Sequence, residues 1–557
     1  MARPPSPARR EEVAFHREMV RQLKREIAAI DRNSRRKYIR DFDGEYRSFE
    51  QLATLDDLIV AAYKADIIYI GDYHALPQSQ MFAARMLKEI ASRSRNTYLA
   101  MEMVFGRSQR VLDRWMAGEL TEQEFLRRIR YHLDWGYDWE SFARIFAVAR
   151  ARRVPVHGVD CEPRSGFRYI RRRDQYAAGR IVSILEEDPD AKVVVVFGES
   201  HLATDHLPGR VRELLRERNL ERRDLVIVQN IEHLYWQLAE RGHHHVDAVR
   251  CAPSRYCVFN TSPLAKYEAY RQTIERWKVE GEDDDQLDLT PTIYNMIDTI
   301  LKFLRVDKYR RTVRGTRRTP LVDLFPEVYS DVDMSWFRRT LRESGFDADQ
   351  IEEVRFHVDR NGSCYIPRIN AVYIGQFNLV HGGEEAAHFV NMALRGQLFE
   401  DGDERLPRAD LFYVSVLEEA LGFFGSKLID PSRNHFFETE FYRLYKKSPE
   451  EVERDTPYRY GEFREIIDFI LLHKRFERSY QEYDDVPEEI LAGIESRERF
   501  SVLTHELGYF LGQELYDGYH DGRIKRSRIQ SLFRRRYAPG GDALGVYLDL
   551  VEELVGA

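Results

Sequence analysis

"IIYIGDYHALPQSQ", residues 67–80, passes from four nearly continuous apolar residues into Gly71, Asp72, Tyr73 and His74, then Pro77. A short β-branched run of this kind reads as a strand buried on both faces. A second run repeats the punctuation: "KVVVVFGESH" (192–201) ends on Gly198, Glu199, Ser200 and His201. Working outward, "TYLAME" (97–102), "VPVHGV" (154–159) and "DLVIVQ" (224–229) add further strands. Between them Phe82, Met86, Leu87 and Ile90, then Phe142, Ile145, Phe146 and Ala149, recur at helical spacing. Strands alternating with amphipathic helices predict an α/β fold with a mostly parallel sheet covered by helices.

The 557 residues exceed what one hydrophobic core holds, so several folded units are expected. The boundaries read as a helical N-terminal extension over 1–49, an α/β domain over 50–260, a linker with a helix over 261–320 and a mainly helical C-terminal domain with a small β element over 321–557. An acidic stretch, 280–291, and a basic one, 309–320, flank the helical "TIYNMIDTILKFL" and mark the junction. A strand-like pair is expected around "VRFHVDRNGSCYIPRINAVYIG" (354–375), followed by long helices with Phe463, Ile466, Ile467, Ile470 and Leu471, and Leu503, Leu507, Phe510 and Leu511, on apolar faces.

A formal charge of −8 gives no overall attraction to nucleic acid or anionic membrane. Arginine clusters at 170–173 and 532–536 lack interleaved aromatics, so no nucleic-acid partner is expected. Four cysteines without a close pair point to a reducing compartment. With no apolar run near 18 residues and no export leader, a cytoplasmic location and no transmembrane segment are the expectation.

Ligands of open parallel sheets bind beyond the carboxyl ends of the strands. His74 and His201 each stand just past such an end, and Glu102 closes "TYLAME" where an uncompensated carboxylate would be costly. Two imidazoles and a carboxylate fit an open site for zinc, manganese or iron. They equally fit a metal-free site in which a carboxylate orients a basic histidine, and helix-capping histidines beside an arginine-paired Glu102 are the bland alternative. Asp72 and Glu199 stand beside the two histidines.

The paired "GDYH" and "GESH", the strand-borne "AMEM" and the stretch "LDRWMAGELTEQEFLRRIRYHLDWGYDWESFARIFAVARARRVPVHGVDCEPR" resemble the ChaN-like haem-binding uptake domain of the Tiki superfamily, over residues 50–260. That superfamily includes Tiki metalloproteases, TraB-like proteins and erythromycin-esterase-like hydrolases. The resemblance implies a polar site of His74, Glu102 and His201 with Asp72, Glu199 and Arg164. It also implies haem or a divalent transition metal as cofactor, and a small-molecule ligand, either haem or an ester or amide substrate. Tyr73, His74 or another exposed tyrosine or histidine would supply the axial ligand of haem, Trp135 and Tyr137 are candidate cofactor contacts although they and Trp139 read first as core or lid packing, and a haem shared between subunits implies a homodimer. Pro163 and Arg164 of "DCEPR" match the end of the family's NxPR pattern but the asparagine is missing, and no lipoprotein signal is read. The reading is therefore a haem- or metal-binding protein, with a hydrolase, metal-dependent or His/Glu-based, as the alternative and a structural protein with a degenerate site as the third.

In the C-terminal part, His381, Glu385 and His388 at i, i+4 and i+7 share a helical face if a helix begins early enough, and Glu385-x-x-His388 has a metal-binding spacing. Gly382 and Gly383 argue for a later start. Glu418, Glu419, His505 and Glu506 are further conceivable ligands. "HELGY" lacks the second histidine of a zincin motif. The histidines of "GHHHVDAVRC" (242–251) fit no finger spacing.

Overall fold

The computed structural model describes residues 6–557 except 31–36, 165–168, 244–245, 280–287, 310, 315–316, 331–332, 401–405, 436–437, 450–451, 453–458, 483–485, 495 and 556–557. Most of the acidic junction stretch, and His244 and His245 of the histidine-rich segment, thus lie outside the described residues. The chain divides into two compact units, one of residues 13–283 and one of 284–557 joined by 6–12.

In the first unit β1 (Gln51–Ala53), β2 (Ile67–Asp72), β3 (Thr97–Phe105), β4 (Val156–Asp160), β5 (Lys192–Gly198), β6 (Asp224–Gln229), β7 (Ala248–Ala252) and β8 (Arg255–Val258) form one sheet, ordered β1-β7-β8-β6-β2-β5-β3-β4. From β8 to β4 every pairing is parallel; β7 runs antiparallel to both β1 and β8. The expected α/β class with a mostly parallel sheet is borne out. The antiparallel strands β1 and β7, short and partly polar, went unread in the sequence.

Alternation explains the two layers. Ile68, Ile70, Leu99, Met101, Val194 and Val196 face one core, shared with helices Pro77–Arg93 and Trp139–Arg152. Ile67, Tyr69, Ala100, Val193, Val195 and Phe197 face the other, shared with helix Ile170–Glu187. Each fully buried aliphatic chain contributes about 1.5–3 kcal/mol, so the continuous apolar runs are what both faces require. The register between β3 and β4 shifts after Met101. Gly158 fits there because a Cβ would stand 2.8 Å from the Val104 carbonyl oxygen and 2.9 Å from that of Phe105.

The second unit contains a three-stranded sheet in which Ala371–Ile374 pairs parallel with Glu327–Ser330 and antiparallel with Ser363–Ile366. The expected strand pair is present, but its proposed first half is the end of a helix, Ala348–Asn361. Asp347 and Gln350 form a capping box at the start of that helix, and Gly362 ends it with φ 77°. Helices Leu379–Arg395, Arg408–Ile429 and Arg497–Asp521 pack in succession around Phe389, Leu417 and Leu507. No described helix is long and apolar enough to cross a membrane.

Candidate functional site

The register of the central strands sets Asp72, the last residue of β2, opposite Gly198, the last of β5. Glu102 projects from neighbouring β3, and all three meet at the carboxyl edge. Glycine at 198 is a matter of close approach: a Cβ there would lie 3.3 Å from both Glu102 Oε2 and His74 Nε2. The Gly198 amide donates to Glu102 Oε2 at 2.5 Å.

His74 and His201 address opposite oxygens of Glu102. His74 Nε2 is 3.7 Å from Oε2 and His201 Nε2 3.9 Å from Oε1. Each imidazole is oriented through its other nitrogen by a carboxylate, Asp72 at 2.7 Å for His74 and Asp174 at 2.5 Å for His201. Gln80 donates to the second oxygen of Asp72, and the Tyr38 hydroxyl donates to Asp174 at 2.7 Å. The sequence-predicted His74, Glu102, His201 and Asp72 are thus brought together.

Arg173 supplies the cation at their centre. Its Nη2 donates to Glu102 Oε1 at 2.5 Å and to Asp160 Oδ2 at 2.9 Å, while Nε donates to Asp160 Oδ1 at 2.8 Å. Asp160 is fully buried and Glu102 is 3% exposed. Burial pushes the Glu102 carboxyl up, but His74, Arg173, His201 and the Gly198 amide together hold it down at about 2. Burial lowers the pKa of His74, yet the Asp72 and Glu102 carboxylates outweigh it and leave the imidazole raised above 6.5.

These shifts set a pH profile for stability. A depressed carboxyl stabilises the fold fully above its ordinary value of 4.5 and loses that contribution as pH falls toward about 2. The raised His74 stabilises below 6.5, a contribution lost as pH rises through its folded pKa. Denaturant midpoints measured across pH are expected to decline on both limbs, and Glu102→Gln is expected to flatten the acid limb specifically. An unchanged acid limb in that variant would exclude Glu102 as its source.

Arg164 donates to Asp160 at 2.7 Å and to the carbonyls of Asp134, Glu102 and Met103 at 2.7–2.9 Å, with its guanidinium 4.0 Å over Phe105. Its donors tie the ends of β3 and β4 together. Glu199 pairs with Lys266 Nζ at 2.8 Å, away from Glu102; burial raises its pKa and Lys266 opposes the rise. The Lys266 ammonium also lies 4.4 Å over the Tyr73 ring. Arg173, Asp174, Tyr38 and Lys266 were not anticipated. Arg173 closes the arginine cluster at 170–173, which the sequence weighed only for nucleic-acid binding, and its place in the first turn of helix Ile170–Glu187 turns it inward.

Over the network stands an aromatic wall. The ring centres of Trp135 and Tyr137 are 4.4 and 5.1 Å from that of His74, and Trp277 is 5.1 Å from Tyr137. Trp135 Nε1 is buried with no hydrogen-bond partner.

In the second unit the helix containing His381 begins at Leu379, capped by Asn378, earlier than the two glycines suggest. Even so, Glu385 turns to the small sheet, accepting from the Ser363 hydroxyl at 3.0 Å and the Tyr365 amide at 2.7 Å. Glu384, His388 and Glu419 each offer a ligand atom, and the three atoms lie within 4.8 Å of one another. Among the described residues no other trio of His, Cys, Asp or Glu meets that spacing, so His74, Glu102 and His201 do not.

No curated protein matches the chain. Among solved structures it is similar to "Cofacial heme binding to ChaN of Campylobacter jejuni", at 14% identity and TM-score 0.24, covering 32% of this chain and 86% of that one. It is also similar to "The structure of the type III effector HopBA1", at 13% identity and TM-score 0.28, covering 38% and 96%. The resemblance read from the sequence is borne out over residues 58–174, which hold His74, Glu102, Arg164 and Arg173 and match the family described as "Haem-binding uptake, Tiki superfamily, ChaN".

Proposed function

We propose that the first unit is a ChaN-like ligand-binding domain that holds haem beside the strand-end network. The observation that carries this reading is the aromatic wall with its unmatched donor: an unpaired buried N–H costs about 1–3 kcal/mol, which an acceptor on a bound ligand would recover. An aromatic face with one such donor suits a flat apolar ring bearing carboxylates. The family match over residues 58–174 supports the same ligand.

The donor chemistry for iron fits at Tyr73 and not at His74. His74 Nδ1 is engaged with Asp72, and its Nε2 faces Glu102 and the Cβ-sized gap at Gly198, which leaves no width for a macrocycle. Tyr73 is half-buried with the Lys266 ammonium over its ring, and a tyrosine oxygen is one of the side-chain ligands haem iron takes. Bound haem supplies a redox-active iron. The polar network beneath contributes rigidity and charge balance at the rim. A divalent metal on Glu102 would stand against the Arg173 guanidinium, so Arg173 is the cation this carboxylate is built to hold.

Haem titration followed at the Soret band tests the reading. Wild type is expected to develop a saturable band, and Trp135→Phe, which keeps a ring but removes the N–H, to bind about 5- to 10-fold more weakly, the equivalent of one hydrogen bond. A wild-type protein without a saturable Soret change would sink the proposal. The Asp72–His74 pair favours a second reading, a metal-free hydrolase with His74 as general base. That reading requires turnover of an ester or amide that His74→Gln abolishes.

A further inference from the structure

We propose that Glu384, His388 and Glu419 in the second unit bind a divalent transition-metal ion, of the zinc, manganese or iron(II) class, with coordination positions open to an adjoining cavity. Donors held about 2.0–2.2 Å from one ion lie at most about 4.4 Å apart. The observed separations, within 4.8 Å, need only small side-chain movements to close on it.

The two oxygens of Glu384 are differentiated as a ligand requires. Oε2 is saturated by the Tyr509 hydroxyl at 2.6 Å, His381 Nδ1 at 3.2 Å and the Arg433 guanidinium at 3.3 Å. Oε1 is buried, with no hydrogen-bond partner at all, in a residue only 2% exposed. A bare, buried carboxylate oxygen is a costly arrangement that a cation relieves. Glu419 is likewise held through one oxygen, its Oε2 contacting His505 Nδ1 at 3.1 Å. Outer contacts of this kind orient metal-ligating side chains.

His388 is seated by the absence of a side chain opposite it. A Cβ on Gly422 would lie 2.8 Å from both its Nε2 and Cε1, so the imidazole occupies space that only glycine leaves in helix Arg408–Ile429. All three ligands line a cavity of about 340 Å³, together with His357, Cys364 and Glu385. Two carboxylates, one imidazole and open volume form the three-donor pattern of sites that keep a position for water or substrate.

The test uses the full-length, tag-free protein, stripped with chelator, reconstituted separately with zinc, manganese, iron(II) and cobalt(II), and desalted before elemental analysis. Wild type is expected to retain one equivalent of at least one metal, and the cobalt form to show ligand-field absorption. His74→Ala/His201→Ala is expected to retain the metal, whereas Glu384→Gln and His388→Ala are expected to lose it while keeping the wild-type circular dichroism. A wild type that retains none of the four metals overturns the proposal without reference to any variant. Metal retention unchanged in Glu384→Gln, His388→Ala and Glu419→Gln also overturns it. Loss only in the His74/His201 variant assigns the metal to the first unit and overturns it equally.

Discussion

Arg173→Ala is expected to destabilise the first unit by about 3–5 kcal/mol, the range for removing one partner of a buried ion pair. Arg173 is 8% exposed and makes three short contacts to two carboxylates, Glu102 and Asp160, that are themselves buried. Its loss leaves Glu102 with the Gly198 amide and two imidazoles at 3.7 and 3.9 Å, and leaves Asp160 with Arg164 and the Cys161 amide. Two carboxylates then share an insufficient positive charge, and one takes up a proton or the strand ends separate. Arg173→Lys restores the charge but not the planar fork that reaches both carboxylates, so it is expected to recover only part of the loss.

Tryptophan fluorescence reads this unit selectively, because Trp115, Trp135, Trp139, Trp236 and Trp277 lie in it and only Trp336 lies in the other. A change in denaturant midpoint at constant slope gives the free energy directly. A loss below about 1 kcal/mol, the value of an exposed ion pair, would mean that Arg173 is not what holds the sheet edge together.

The elements legible in the sequence were those whose burial is uniform. Ile67–Ile70, Val193–Phe197 and Leu225–Val228 are apolar at every position because the sheet is covered on both faces, and such runs have no other stable location. The antiparallel strands β1 and β7 are short and carry Gln51 and Arg250, so they lacked that signature. Val354, Phe356 and Val358 alternate like a strand, but the helical spacing of Ile351, Val354 and Val358, all buried, decides the structure. Local capping at Asp347 and Gly362 agrees with the helix.

At the site, His74, Glu102 and His201 were legible because His74 and His201 each follow a strand, Glu102 lies on one, and the three strands share an edge. Arg173 and Asp174 arrive from a helix, and Tyr38 from another, so no local spacing ties them to Glu102. In the second unit the difference between Glu384 and Glu385 is one residue of helical rotation, about 100°. That rotation sends Glu385 to the amide of Tyr365 and Glu384 toward His388. Spacing alone favoured the wrong neighbour for a common face, because strand Ser363–Ile366, which claims Glu385, carries no sequence mark of its contact.

The measurement that bears most directly on the haem reading is the optical and electron paramagnetic resonance spectrum of the ferric-haem complex of wild type beside Tyr73→Phe and His74→Ala. Tyr73 stands at the rim under the Lys266 ammonium, whereas both nitrogens of His74 face carboxylates. The expected result is a high-spin ferric phenolate spectrum in wild type, retained in His74→Ala and abolished in Tyr73→Phe, with both variants folded. A wild type without a Soret band, or a band that survives Tyr73→Phe and disappears in His74→Ala, would contradict the account.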